Sequence, residues 1–339
     1  MAKIRLLNVS KSYDDKKILK NINLTINQGE FVTLLGPSGS GKTTILHGIA
    51  GIIPFDSGEI LFDDELINDV PIEKRNAVLV DQNLLLFPHM TVYSNIAFGL
   101  KMKKVDKKII DEKVYYLIDL MGLKGHEKKY PNELSGGQMQ RVSIARALAI
   151  EPKVLLLDEP FSKLDIVLRK SMQEFVKDLH NKIGFTTIMV THDKEEALSM
   201  ADRVAILIDG EIKQYDIPKK IYEQPISKEV ADFFGLRNYF EGYLENGIFR
   251  CEIGEFKIND DYKGKITFVF RPEQVIIGDK NDYNIKGVVK KKIYTGDKVS
   301  YVINIYGKDI LCSEHVSKNY QVGNEISIKL DFEDTIYFK

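Results

Sequence analysis

The chain has 339 residues, of which 44% are hydrophobic and 29% charged, the proportions of a globular protein with room for two domains. Lys and Arg number 48 against 49 Asp and Glu, a net charge of -1, which excludes a global field drawing the protein onto nucleic acid or anionic lipid. The two cysteines, Cys251 and Cys312, exclude a disulfide framework and a Cys-based zinc site, and they read as small buried apolar side chains in a reducing compartment.

The first fifteen residues mix polar and apolar types and lack the apolar stretch of a signal peptide. Ile22, Leu24 and Ile26 alternate with polar residues and predict a half-buried strand ending at a turn over residues 27–30. Residues 31–35 predict a more continuously apolar strand that runs straight into a glycine-rich loop, and residues 43–50 a helix closed by Gly51 and Pro54. The apolar window over residues 45–55 is interrupted by His47, glycine and proline, well short of the roughly 20 residues that cross a bilayer. Residues 154–157 and 186–190 have the composition of strands buried on both faces of a parallel sheet. Residues 204–208 lead into Asp209-Gly210, a tight hairpin turn, and then Ile212. Strands alternating with helices predict an α/β domain with a parallel core sheet. A short helix over residues 228–234 leads out of it. Beyond about Asn238 the pattern turns to short strands: Phe256 and Ile258 alternate, as do Val299, Tyr301, Ile303 and Ile305, and Ile326, Ile328, Leu330 and Phe332, the last set with Ser327, Lys329 and Asp331 facing solvent. That spacing predicts a small all-β barrel or sandwich.

Three motifs carry chemistry. Gly36-Pro37-Ser38-Gly39-Ser40-Gly41-Lys42-Thr43 fits the phosphate-binding loop. Its small residues let consecutive N–H groups close around phosphate oxygens, and the following helix presents its positive end to the same anion. Lys42 is placed to reach the β- and γ-phosphates and the Thr43 hydroxyl to ligate Mg²⁺. Four apolar residues followed by Asp158-Glu159 put one carboxylate beside that loop to hold Mg²⁺ and a second where it can polarise an attacking water. Ser135-Gly136-Gly137-Gln138 opens a helix with an N-cap and exposed backbone donors, a second anion-binding element.

In this order and spacing the motifs resemble those of the nucleotide-binding subunit of an ATP-binding cassette (ABC) transporter, over roughly residues 1 to 235. The resemblance implies a P-loop NTPase fold with a helical subdomain over about residues 85–150. It also implies matching roles for Gln82 (the Q-loop), His192 (the switch histidine) and Tyr13 (stacking on adenine). Carried over, Ser38, Gly39, Ser40, Gly41, Lys42, Thr43 and Thr44 with Gly36 hold the phosphates of ATP. Thr43, Gln82 and Asp158 form the Mg²⁺ shell. Glu159 activates water, and His192 contacts the γ-phosphate. Ser135, Gly136, Gly137 and Gln138 meet the nucleotide of a second copy, and Asp165 crosses between copies, so the site is complete only in a homodimer. Lys163 stands where the family commonly has a small residue.

Residues 233–242 and Arg271-Pro272-Glu273 resemble the C-terminal regulatory extension of one importer subfamily that serves sugars, polyamines, ferric iron and oxyanions. This implies an OB-like (TOBE) domain over residues 236–339. The resulting expectation is an ATPase that energises solute import through a separate permease, at the cytoplasmic face of the cell membrane, with solute delivered by an extracellular binding protein. Two other readings stand beside it. A non-transport cassette ATPase acting on DNA would insert long coiled coils between phosphate loop and signature, and the interval here, about ninety residues, lacks sustained heptads; a ribosome-acting relative would carry two cassettes, and only one signature occurs. The third is a regulator whose C-terminal barrel senses solute. Lys290-Lys291-Lys292 reads as a solvated strand end and not a nucleic-acid patch, because residues 236–339 hold equal numbers of basic and acidic side chains.

Overall fold

The computed structural model describes residues 1–339 except 236, 281, 297, 316–318, 333 and 334. It divides into two compact units, Met1–Glu223 and Gln224–Lys339. In the first, strands β1 (Ile4–Tyr13), β2 (Lys16–Ile26) and β3 (Phe31–Leu35) precede helix α1 (Lys42–Ala50), with β4 (Ser57–Phe62), β5 (Glu65–Leu66) and β6 (Ala77–Val80) behind it. Helices α2 (Val92–Met102), α3 (Lys107–Leu120) and α4 (Gly136–Ala149) pack on one another. The unit continues through β7 (Val154–Asp158), α5 (Ile166–Ile183), β8 (Thr186–Thr191), α6 (Lys194–Met200), β9 (Arg203–Ile208), β10 (Glu211–Asp216) and α7 (Pro218–Glu223).

The six-stranded sheet has the order β10-β9-β3-β8-β7-β6. Its neighbours are parallel except for the β9–β10 hairpin. Every residue of β3, β7 and β8 is buried, which is why these strands read as unbroken apolar runs. Leu35 pairs with Thr191, Asp158 with Val190 and Val80 with Leu157. Four parallel strands therefore end on one edge, and the segments that follow them emerge side by side, the usual place for a ligand site in such a sheet. A second, antiparallel sheet, β2-β1-β4-β5, adds Ile4, Leu6, Ile22 and Leu24 to a core shared with Ile45 and Ile49 of α1. The first residues give no clear period because the β1–β2 register shifts between Leu6 and Val9 and again beyond it, so the inward face changes parity along the strand.

The second unit comprises α8 (Lys228–Phe233), β11 (Asn238–Glu245), β12 (Ile248–Cys251), β13 (Gly254–Lys257), β14 (Gly264–Phe270), β15 (Ile276–Gly278), β16 (Ile285–Tyr294), β17 (Lys298–Ile305), β18 (Lys308–His315), β19 (Glu325–Lys329) and β20 (Tyr337–Phe338). Two antiparallel five-stranded sheets, β13-β12-β11-β14-β20 and β15-β19-β16-β17-β18, enclose one core. Phe332 sits among Phe240, Phe249, Phe268 and Phe270, and Val299, Tyr301, Ile303 and Ile305 point inward as their alternation predicts. Helix α8, which the sequence reading places at the end of the first domain, is tied to the start of β11. Arg237 Nε donates to Ala231 O at 2.9 Å, Tyr239 OH donates to Asp232, and the Lys228 ammonium lies 4.5 Å from the Tyr239 ring centre.

Two expectations are corrected here. Ser327 is fully buried and not solvent-facing, because its hydroxyl donates to Asp279 O at 2.5 Å and accepts from Tyr283 N at 3.0 Å. Asp279 and Tyr283 thus meet that face of β19. Cys251 is only half-buried, whereas Cys312 is buried with its thiol 2.9 Å from Val275 O.

Candidate functional site

The loop from Gly36 to Thr43 joins β3 to α1, and its glycines are required by geometry. A Cβ on Gly36 would lie 2.0 Å from Leu207 O in β9, and Gly41, at φ +102°, would bring one to 2.6 Å from Leu19 Cδ2. The loop is therefore packed too closely against its neighbours for a side chain at either position. Arg75 anchors the other end of α1, donating to Gly48 O at 2.8 Å and to Val70 O at 2.8 Å. Lys42 is buried, and its ammonium donates to Gly36 O and Pro37 O, both at 2.9 Å. Burial pushes its pKa below the usual lysine value, while Glu159 and Asp158 pull it back up.

Thr43 Oγ1 donates to Asp158 Oδ1 at 3.2 Å, which joins α1 to the end of β7. Burial raises the Asp158 pKa and the Thr43 hydrogen bond lowers it. The next residue, Glu159, sits at φ +43°, a left-handed conformation unfavourable for a residue with a Cβ. Its N–H donates to Val190 O at 3.0 Å, which turns it from its own strand toward β8. There its Oε1 lies 3.1 Å from Nδ1 of His192, the first residue after β8. Gln82 Nε2 donates to Ser162 Oγ at 2.9 Å, and that hydroxyl donates to Glu159 O at 3.0 Å. Lys163, the departure from the family pattern, donates to Asn83, giving the loop after β7 a second tie to the loop after β6.

A cavity of about 320 Å³ opens on this edge. It is lined by Tyr13, half exposed at the end of β1, by Ile18, by Ser38, Gly39 and Gly41 to Thr44 of the loop and first turn of α1, and by Glu159. Ser40 is buried within the loop. Ser135, Gly136, Gly137 and Gln138 do not line this cavity. They form the N-terminus of α4, where Ser135 Oγ accepts from Gln138 N at 3.3 Å and Gln138 Oε1 accepts from Ser135 N at 3.0 Å, a reciprocal capping box. Asp165 caps α5, accepting from Leu168 N at 3.0 Å. One chain thus brings together the phosphate loop, Asp158, Glu159 and His192, with Gln82 linked through Ser162, and leaves the signature elsewhere.

Among the described residues, no group of three His, Cys, Asp and Glu side chains is arranged for a metal. The donors at the loop are a hydroxyl, one carboxylate and a nearby amide, all hard oxygen ligands. They fit Mg²⁺, which keeps several waters and shares its shell with substrate phosphates.

Sequence reasoning missed the support behind His192. Asp193 caps α6, accepting from Glu195 N at 2.8 Å, and the buried Glu196 accepts from Thr191 Oγ1 at 2.6 Å and from Gln173 Nε2 at 3.1 Å. The spacing of Asp193 and Glu196 is itself a readable helix-start signal.

Comparison with known proteins agrees with this geometry. The ABC transporter family model matches residues 19–162 and the TOBE domain model residues 268–338. The spermidine/putrescine import ATP-binding protein PotA of Desulfitobacterium hafniense (strain Y51) is 44% identical over 335 residues, covering 96% of this chain and 94% of that protein. Its namesake in Clostridium acetobutylicum is 43% identical with the same coverage. Among solved structures, the dimeric bacterial ABC transporter cassette MJ0796 aligns with a TM-score of 0.57 and 34% identity over 63% of this chain and 98% of that chain. A dimeric post-hydrolysis state of it, bound to ADP and Pi, aligns with a TM-score of 0.57 and 33% identity. Identity of 43–44% over 96% of the chain to these import ATP-binding proteins, with the ABC transporter and TOBE models matched in that order along it, places the chain in the family of ABC importer ATPases that carry a TOBE domain.

Proposed function

We propose that the chain is the ATP-hydrolysing subunit of a polyamine importer, two copies of which close on two ATP molecules and drive a separate permease. The observation that carries this is the 3.1 Å pairing of His192 with Glu159, beside a buried lysine and the Thr43–Asp158 link at the phosphate loop. Near-full-length similarity to spermidine/putrescine import proteins supports the substrate class. The dimeric state of the similar cassettes supports the pairing, as does the separation of the signature from the cavity within one chain.

In this reading Tyr13 stacks on the adenine. The N–H groups of residues 36–44 cradle the phosphates, and Lys42 leaves its two carbonyl partners for the β- and γ-phosphates. Thr43, Asp158 and Gln82 would hold Mg²⁺, which neutralises charge developing on the phosphate oxygens. Glu159 accepts a proton from the attacking water, and His192, hydrogen-bonded to that carboxylate, orients it and meets the γ-phosphate. Ser135, Gly136, Gly137 and Gln138 of one copy close over the nucleotide of the other, with Asp165 at the crossing. Hydrolysis releases the clamp, and the motion passes to the permease. No described helix is long and apolar enough to cross a membrane, so attachment at the cytoplasmic face is assigned to the permease. Solute arrives from an extracellular binding protein, and nucleic acid has no part.

Uptake of radiolabelled spermidine and putrescine by cells lacking this chain tests the proposal. The expected result is loss of uptake, restored by the wild type and not by Glu159→Gln. Undiminished uptake of both overturns the polyamine assignment.

A further inference from the structure

His192 is held at both flanks by one face of α5. On the C-terminal flank, Arg169 Nη1 lies 3.7 Å from Asp193 Oδ2, and the other oxygen of that carboxylate caps α6. On the N-terminal flank, Gln173 Nε2 donates to Glu196, which accepts from Thr191 Oγ1, and that hydroxyl accepts from Asp193 N at 3.0 Å. Arg169 and Gln173 are four residues apart and share a helix face. Arg169 also donates through Nη2 to Leu164 O at 3.2 Å, within the loop that runs from Glu159 to the Asp165 cap. A single guanidinium therefore spans the loop after β7 and the turn after β8, the two segments whose relative placement sets the Glu159–His192 distance. The planar fork of arginine suits such bridging, and a lysine ammonium does not reproduce it.

We propose that Arg169 is a positioning residue for ATP hydrolysis, acting through Asp193 to hold His192 against Glu159. The inference rests on the reading of Glu159 and His192 as the hydrolytic pair. Arg169 does not line the cavity, so its removal acts on turnover and leaves ATP binding in place.

The test is a double-variant cycle on the full chain with Arg169→Met and Asp193→Asn, the latter keeping a good N-cap. ATP turnover is measured with kcat and KM separated, alongside the melting temperature. Arg169→Met is expected to lower kcat about tenfold with KM for ATP within about twofold, the signature of an interaction needed in the transition state and not for binding. If it acts through Asp193, the double variant loses no more than about twofold beyond the worse single variant. Arg169→Lys keeps the charge without the fork and is expected to recover only part of kcat, at wild-type melting temperature. Losses that multiply in the double variant, or a change confined to KM, overturn the positioning role. So does a kcat loss fully restored by lysine, or one that follows the melting temperature across the variants. Absence of ATPase activity in the wild type overturns the proposed function instead, which keeps the two failures distinguishable.

Discussion

Glu159 and His192 each directly follow one of two adjacent parallel strands, β7 and β8, and the imidazole Nδ1 stands 3.1 Å from the carboxylate Oε1. The contact exists because Glu159 takes a left-handed backbone conformation at φ +43° and hydrogen-bonds to Val190 O at 3.0 Å, which turns it off the line of its strand. In the proposed function, this holds Glu159 oriented as the general base before substrate arrives. Glu159→Gln preserves size and shape but cannot accept a proton, so turnover should fall about 10²- to 10⁴-fold while ATP binding persists. Light scattering should find the variant trapped as an ATP-dependent dimer. ATP-independent monomers would contradict closure on nucleotide.

The Lys42 ammonium donates to two loop carbonyls at 2.9 Å. Truncation to alanine removes the charged donor and leaves the loop backbone. A hydrogen bond to a charged group is worth about 1.5–3 kcal/mol, so Lys42→Ala should weaken ATP affinity roughly 10- to 100-fold. Calorimetric titration with ATP checks this, and unchanged affinity would show that the loop does not hold the phosphates.

Gly36 makes a separate, purely steric prediction. With Leu207 O only 2.0 Å from the position of a new Cβ, Gly36→Ala must push the loop off β9. The expected destabilisation is about 1–3 kcal/mol, as for overpacking elsewhere, seen as an earlier thermal transition. A variant as stable as the wild type would mean that β9 yields at no cost.

Asp165 separates a local role from an intermolecular one. Its carboxylate caps α5 through Leu168 N at 3.0 Å, and loss of such a cap costs about 1 kcal/mol. Asp165→Asn retains the cap, so stability should be kept by asparagine and lowered by alanine. If the residue also crosses between copies, both variants should slow ATP turnover; full activity in Asp165→Asn would confine it to capping.

His180 predicts the acid response of the first unit. It is buried, with Phe31 and Phe185 edge-on at 5.2 and 5.4 Å and Nδ1 3.2 Å from Thr187 Oγ1. Burial pushes its pKa below the ordinary 6.5, with Lys177 adding to the shift and Asp202 opposing it. The unfolded chain therefore binds the proton more readily, and the stabilisation held above about pH 6.5 is lost as pH falls from there through the folded pKa. Melting temperatures from about pH 7 to 5 should fall less steeply for His180→Gln than for the wild type. Equal slopes would assign the acid response to other groups.

Much of this was legible before any coordinates. The phosphate loop, the Asp158-Glu159 pair and the signature are local: each needs only a few consecutive residues, so the side-chain pattern carries the backbone geometry with it. The inward faces of β17 and most of β19 were equally plain, since a strand with one buried face must alternate. Ser327 departs from that alternation because its hydrogen-bond partners, Asp279 and Tyr283, lie more than forty residues away in sequence. The division between the two units falls before helix α8, and Arg237 and Tyr239 tie that helix to the start of β11, relations that its own apolar pattern does not carry.

The amino-acid sequence by itself determined the α/β and all-β halves, the phosphate loop and the pair of carboxylates that follows β7, because propensity, periodicity and short motifs are properties of neighbours along the chain. Only the tertiary structure decided that Gln82 reaches the loop after β7 through Ser162, that Lys163 ties that loop to Asn83, and that Arg169 joins the segments carrying Glu159 and His192. Those relations depend on parallel strands far apart in sequence ending on one edge in a particular register. Strand order and register are settled by the packing of the whole core, so no single segment contains them.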